Sequence, residues 1–114
     1  MTLKYYLYCI WKDDILIGWF SFYLEYQQKE AAYLSVLYIK EKYRSSGFGF
    51  EIIDAWTSKL ADDKCKLIKT HCSLRNALSL RFWVKNRFNH IIEVDCTGNL
   101  YAADFGGVGL MKII

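Results

Sequence analysis

Residues 39 to 49 read Ile-Lys-Glu-Lys-Tyr-Arg-Ser-Ser-Gly-Phe-Gly, the end of an apolar stretch running into a turn that carries Gly47 and Gly49. Ala31 to Ile39, ahead of the turn, is rich in Tyr, Val, Leu and Ile and reads as a buried strand. Behind it Ile52, Ile53, Trp56 and Leu60 recur at helical spacing on one face. A strand that passes so quickly into a helix aims the helix's first unpaired N–H groups, and the positive end of its dipole, at whatever occupies the turn. Glycines there let the backbone approach a ligand closely, so the segment Arg44 to Gly49 reads as a cradle for a phosphate or pyrophosphate. A dinucleotide-binding turn would need G-x-G-x-x-G and an acidic residue about 20 positions further on, and the glycine order here is wrong for that.

The rest of the chain supplies a sheet around this turn. Leu3 to Trp11 and Ile15 to Tyr26 read as antiparallel strands joined at Lys12-Asp13-Asp14, and Gln27 to Glu30 turn the chain into the strand 31 to 39. A helix from about Gly47 to Ala61, a strand Leu67 to Cys72, a helix from Ala77 to Asn86 with Asn76 as its N-cap, and strands near Ile91 to Cys96 and Gly109 to Ile114 follow. That order supports an α/β (α+β) architecture, a mixed, mostly antiparallel sheet with helices packed on its faces. With 114 residues, no proline and no linker, the expectation is one domain covering 1–114.

Charge and cysteine usage narrow the chemistry. Net charge is only +3, but Lys59 to Arg87 holds eight Lys or Arg against Asp62 and Asp63, a stretch suited to a phosphate-bearing ligand or to a solvated face. No base-reading motif accompanies it, so nucleic acid is not expected as a partner. Cys9, Cys65, Cys72 and Cys96 have no C-x-x-C pairing, which argues against a zinc site or a disulfide framework and for a reducing, cytoplasmic setting. The apolar start meets Lys12-Asp13-Asp14 far short of the ~20 residues that a membrane span requires, and no membrane association is expected.

A second segment, Asn76-Ala-Leu-Ser-Leu-Arg-Phe-Trp-Val-Lys-Asn-Arg-Phe88, follows another apolar strand. Its form is close to N-x-x-A/S-x-x-F-Y-x-K-x-G-F, and Ile39 to Gly49 fits V-x-P-x-x-R-x-x-G-x-G without gaps. Together they resemble the GNAT superfamily of N-acetyltransferases over roughly residues 5 to 114. The resemblance implies acetyl-coenzyme A as acetyl donor and an amine as acceptor. It implies that the pantetheine arm contacts Leu37 and Ile39, that Arg44, Ser45, Ser46, Gly47, Phe48 and Gly49 hold the pyrophosphate, and that Asn76 belongs to the same binding site.

The chemistry of that reaction sets the next question. An amine with a pKa near 10.4 is neutral about once in 2,500 molecules at pH 7, roughly 4.6 kcal/mol of barrier if nothing removes its proton. The family often places a Glu base where this chain has Tyr33, and a Tyr acid where it has Trp83, and Arg87 replaces the motif's Gly. Tyr33 is a poor base and an indole cannot give up a proton near neutrality. Glu25, Glu30 and His71 are the nearby groups that could titrate usefully, and His71, the weak catalytic candidate among them, has a structural hydrogen-bonding role as its alternative. A binding module that holds acyl-coenzyme A or a protein without turnover is therefore the second functional expectation. If Met1 is the natural start, the helices that wall the acceptor side in the family are missing. Tyr5, Tyr6, Tyr8, Trp11, Trp19 and Phe20 then imply an apolar face that a homodimer would cover.

Overall fold

The structure, a computed structural model, describes residues 4–95 and 106–114. Nine-residue β1 (Lys4–Lys12) turns at Asp13, whose φ of 55° an aspartate tolerates, into β2 (Ile15–Leu24). Then follow β3 (Ala31–Ile39), a single 3-10 turn Glu41–Tyr43, α1 (Phe48–Asp62), β4 (Leu67–Ser73), α2 (Ala77–Lys85), β5 (His90–Val94) and β6 (Gly107–Ile113). The six strands make one sheet in the order β1-β2-β3-β4-β6-β5, antiparallel except where β3 meets β4. That one parallel pair is the pair joined through α1, since a parallel neighbour needs a crossover. The expected mixed, mostly antiparallel sheet is what forms, with boundaries within a few residues of those read from sequence. The expected first residue Leu3 and last residue Cys96 of two strands lie outside the described residues.

Alternation along the strands sorts the sheet into two unlike faces. Tyr6, Phe22 and Leu34 share one rung and Tyr8, Phe20 and Leu37 another, facing α1. Both helices cover this side: Ile53, Trp56 and Leu60 of α1 and Trp83 of α2 join Phe20, Phe22, Leu34, Ile68, Cys72, Phe88, Val108 and Leu110 in one core. Phe20 and Phe22 stand 5.7 and 4.8 Å from the Trp56 ring, and Phe88 stands 5.2 Å from Trp83. Each such side chain, fully buried, contributes about 1.5–3 kcal/mol. The opposite face carries Tyr5, Leu7, Trp19, Val36 and Tyr38, all exposed, and further along the sheet Tyr33, Lys69 and His71.

One core position is occupied by a cation. Lys112 of β6 is buried beneath α1, its Nζ 3.3 Å from Thr57 Oγ1 and 5.9 Å from the Phe88 ring centre. Burial pushes its pKa down, with nearby Asp54 acting against that and Arg87 with it. Because the folded-state pKa is the lower one, the cost of burying the charge is fully present at neutral pH. It fades as pH rises through the folded value. Lys112→Met should therefore raise stability by about 1 kcal/mol at pH 7, and the gain should shrink towards pH 10, read from urea unfolding at both.

Candidate active site

At the turn singled out by the sequence, Gly47 is the N-cap of α1 with φ 84°, and Ser45 just before it has φ 64°. The two left-handed residues fold Arg44 to Gly47 back so that α1 begins directly beyond them. Glu51 N–H closes the first helical bond onto Gly47 O at 3.1 Å, leaving the N–H groups of Phe48, Gly49 and Phe50 without helical partners. A Cβ added at Gly47 would meet nothing within 4 Å, so the space in front of this helix end is open. Gly49 has a different reason to be glycine, since a Cβ there would stand 2.7 Å from the Phe82 ring. Arg44 reaches back along the same rim, its Nε donating to Ile39 O at 2.7 Å and its guanidinium 5.4 Å from the Tyr38 ring centre. Ser45 and Ser46 are exposed and Phe48 is half-buried.

A cleft opens beside the half of β3 that runs towards this turn. β3 and β4 are paired only from Ala31↔Leu67 to Leu34↔Thr70, and the Thr70 hydroxyl closes the junction by donating to Leu34 O at 3.0 Å. Beyond Leu34 the strands part, opening a cleft of about 270 Å³ between Ser35, Val36 and Leu37 on one side and His71, Cys72 and Ser73 on the other. Trp83 and Ser79 of α2, with Asn76, close its far wall. Asn76 is the cap expected from sequence, its Oδ1 accepting from Ser79 N–H at 3.1 Å. Ile39 stands at the α1 end, its Cδ1 3.6 Å from where a Gly49 Cβ would be. An extended ligand arm laid in the gap would meet the backbone groups of Ser35 to Leu37 that β4 has stopped pairing.

Three side chains were singled out for proton handling, and they fare differently. Trp83 is buried with its ring 4.9 Å from Phe82, a wall of the cleft rather than a proton carrier. Tyr33 is half-buried beside the Tyr26 ring at 4.7 Å, and burial first, then Tyr26 and the charges of Glu93 and Asp95, push its hydroxyl above its usual range. A hydroxyl so held stays protonated at neutral pH, which makes it a donor and not a base. His71 is half-exposed at the cleft, and its Nε2 lies 2.6 Å from Asp95 Oδ2. Since a carboxylate only accepts, Nε2–H is assigned as the donor and Nδ1 keeps the lone pair.

Asp95 and Glu93 were not singled out from the sequence; Glu25 and Glu30 were considered, and Lys4 and Lys66 hold these two at 3.0 and 3.3 Å. Donor atoms of His71, Glu93 and Asp95 lie within 4.8 Å of one another, and all three residues are exposed. Among the thiols, Cys65 bonds to Glu30 O and Leu67 O, and burial raises both Cys65 and Cys72, which suits them poorly as nucleophiles. Cys96 lies outside the described residues. The basic stretch disperses, with Lys59 above the Tyr8 ring on the helix side and Lys69 bonded to Gln27 on the other face.

The sheet is parted at its one parallel pair, and a glycine-capped helix start follows the strand on one side of the gap. Residues 2–88 match the family model described as the acetyltransferase (GNAT) family, and the chain belongs to that family. No curated protein sequence gives a significant match. Among solved structures the chain is similar to an acetyltransferase from Thermus thermophilus (TM-score 0.77, 16% identity), covering 97% of this chain but only 65% of that one. It is also similar to a Bacillus subtilis acetyltransferase in complex with CoA (TM-score 0.78, 15% identity, 95% of this chain and 76% of that one). A GNAT family acetyltransferase from Elizabethkingia anophelis with acetyl-CoA bound matches to the same extent in TM-score, 0.78, at 14% identity, covering 95% of this chain and 75% of that one. Identities this low establish a shared fold.

Proposed function

We propose that the chain is an acetyl-coenzyme A-dependent N-acetyltransferase that passes the acetyl group directly to an amine, acting as a single domain of residues 1–114. The observation that carries the reading is the parting of β3 and β4 beyond Leu34 into a cleft, along the half of β3 that runs on to the turn and the free N–H groups of α1. Two of the similar structures hold CoA or acetyl-CoA, which supports the same donor here. In this reading Arg44 to Gly49 take the pyrophosphate mainly through main-chain N–H groups. Leu37, Ile39 and Asn76 line the path of the pantetheine arm, and an N–H of the freed β3 edge steadies the thioester oxygen as charge develops on it. Thiol release from acetyl-coenzyme A over a panel of polyamine, aromatic amine and lysine-peptide acceptors tests it. No release with any of them, in protein that binds coenzyme A, would leave the binding-module reading in possession. The buried Trp83 in place of an acid is what favours that second reading.

A thiolate with a pKa near 8.5 leaves without help from an acid. Trp83→Phe should accordingly keep the transfer rate within about tenfold, whereas loss of a true general acid costs about 10² to 10⁴. A thousandfold fall in folded, coenzyme A-binding Trp83→Phe protein would show that the indole takes part in the reaction.

We further propose a homodimer paired through the sheet face that the helices leave bare. Cytoplasmic residence suits the free thiols of Cys9, Cys65 and Cys72, and among the described residues no helix is long and apolar enough to cross a membrane.

A further inference from the structure

The proton that the acceptor amine must lose has no assigned destination in the reading above, and Tyr33 is held protonated. We infer that His71 is the general base of this site and that Asp95 is its positioning residue, fixing the imidazole as the Nε2–H tautomer with the Nδ1 lone pair free to take the proton. The inference rests on the acetyltransferase reading and adds to it the identity of the group that makes the amine nucleophilic.

Three features of the molecule converge on the ring. His71 belongs to the stretch of β4 that has left β3, so it lines the cleft in which the thioester would lie. The ring also leans over Gly107 of the neighbouring strand, where a Cβ would stand 2.1 Å from His71 Cε1 and 2.7 Å from Nε2. Only a residue without a side chain leaves room for the imidazole in that pose, so the placement is built by β6 as well as by β4. Asp95, at the end of β5, then reaches across the same face to Nε2 at 2.6 Å. No hydrogen bond to Nδ1 is formed among the described residues, and 37% of the side chain is exposed, enough for an acceptor to reach it.

The titratable groups around the ring are Glu93 of β5 and Asp95 just beyond it, Tyr33 from β3 and Lys69 two residues earlier on β4. Gly107 and Gly109 from β6 carry no charge. The balance is then simple. An ammonium R–NH₃⁺ gives one proton to Nδ1, and the neutral amine attacks the thioester carbon. The C–N bond forms and the C–S bond breaks, the thiolate takes the second amine proton directly or through water, and His71 returns its proton to solvent.

The direct test is the His71 tautomer, read by long-range proton–nitrogen correlation on labelled protein. Nε2–H in the parent is expected, with a change towards Nδ1–H in Asp95→Asn, because the amide can donate to Nε2 as the carboxylate cannot. Nδ1–H in the parent would overturn the inference. The kinetic arm uses the best acceptor of the amine panel. His71→Ala should lose about 10² to 10⁴ in kcat. Asp95→Asn should lose at least tenfold in kcat, and Asp95→Glu, which restores an accepting oxygen, should recover part of it. All three should keep the parent's dissociation constant for coenzyme A. Asp95→Asn with unchanged kcat sinks this inference alone. A parent chain that does not bind coenzyme A sinks the acetyltransferase reading, and the inference with it.

Discussion

Gly47→Asp should bind coenzyme A at least a hundredfold more weakly than the parent chain while remaining folded. Aspartate is chosen because, after asparagine, it is the residue that best accepts a positive φ, and Gly47 sits at 84°. The backbone strain is then of the order of 1 kcal/mol, too little to unfold a typical domain. A Cβ at this position meets no protein atom within 4 Å, so the carboxylate enters the open space before α1 and not the core. If that space is where a pyrophosphate sits, two like charges some 4 Å apart at an effective dielectric near 20 repel by about 4 kcal/mol. A hundredfold loss needs only about 2.7 kcal/mol.

Coenzyme A at 100 times its dissociation constant should stabilise the parent by roughly 2.7 kcal/mol and the variant by almost nothing, seen as a thermal shift in one and none in the other. Gly47→Asn, with the same shape and no charge, should fall between. Gly49→Ala should behave in the opposite sense, losing stability through its collision with Phe82 while keeping most of its affinity. A folded Gly47→Asp protein that keeps the full ligand-induced shift would remove this turn from the binding site.

The contrast between those two glycines marks how far the sequence could be read. The turn itself was legible because everything that defines it is local: an apolar run, two glycines, and a helical repeat of Ile53, Trp56 and Leu60 that duly becomes the buried face of α1. Asn76 was legible as a cap for the same reason, since the N–H that it accepts from is three residues away. The purpose of Gly49 was not, because Phe82 arrives from α2, and only the packing of the two helices brings them together. His71 could be noticed as a titratable group on a strand, but nothing near it in sequence points to its partner. Asp95 is 24 positions on. It comes within reach because the last strand inserts between β4 and β5, and because Gly107 on that strand lets the ring lie down. Strand order and the space left by a missing side chain are properties of the folded sheet, and no spacing rule encodes them.

The 114-residue chain should run as a dimer, with a mass near twice its 13.4 kDa, by light scattering after size exclusion at tens of micromolar. On the side of the sheet away from α1 and α2, β1, β2 and β3 present three successive rungs: Tyr5–Tyr23–Tyr33, Leu7–Ser21–Val36 and Cys9–Trp19–Tyr38. Leu7 and Tyr5 are 58% and 52% exposed and Val36 46%, and the Trp19 and Tyr38 rings, 37% and 36% exposed, pack on each other at 4.6 Å. A contiguous apolar surface of that kind on a soluble chain is the usual mark of an interface. A twofold axis is the commonest way for a chain to cover its own patch.

The same face continues through Tyr33 to His71, so a partner seated on β1 to β3 would stand beside the open end of the cleft and help to enclose the acceptor. Leu7 lies on the middle rung of the patch, on the edge strand β1. Leu7→Glu places a charge there twice over, once from each protomer, and should yield a monomer with normal coenzyme A affinity and a raised KM for the amine. A parent chain that is strictly monomeric and fully active would refute the pairing. It would leave the bare face as the surface on which a large acceptor, such as a lysine on another protein, meets the thioester.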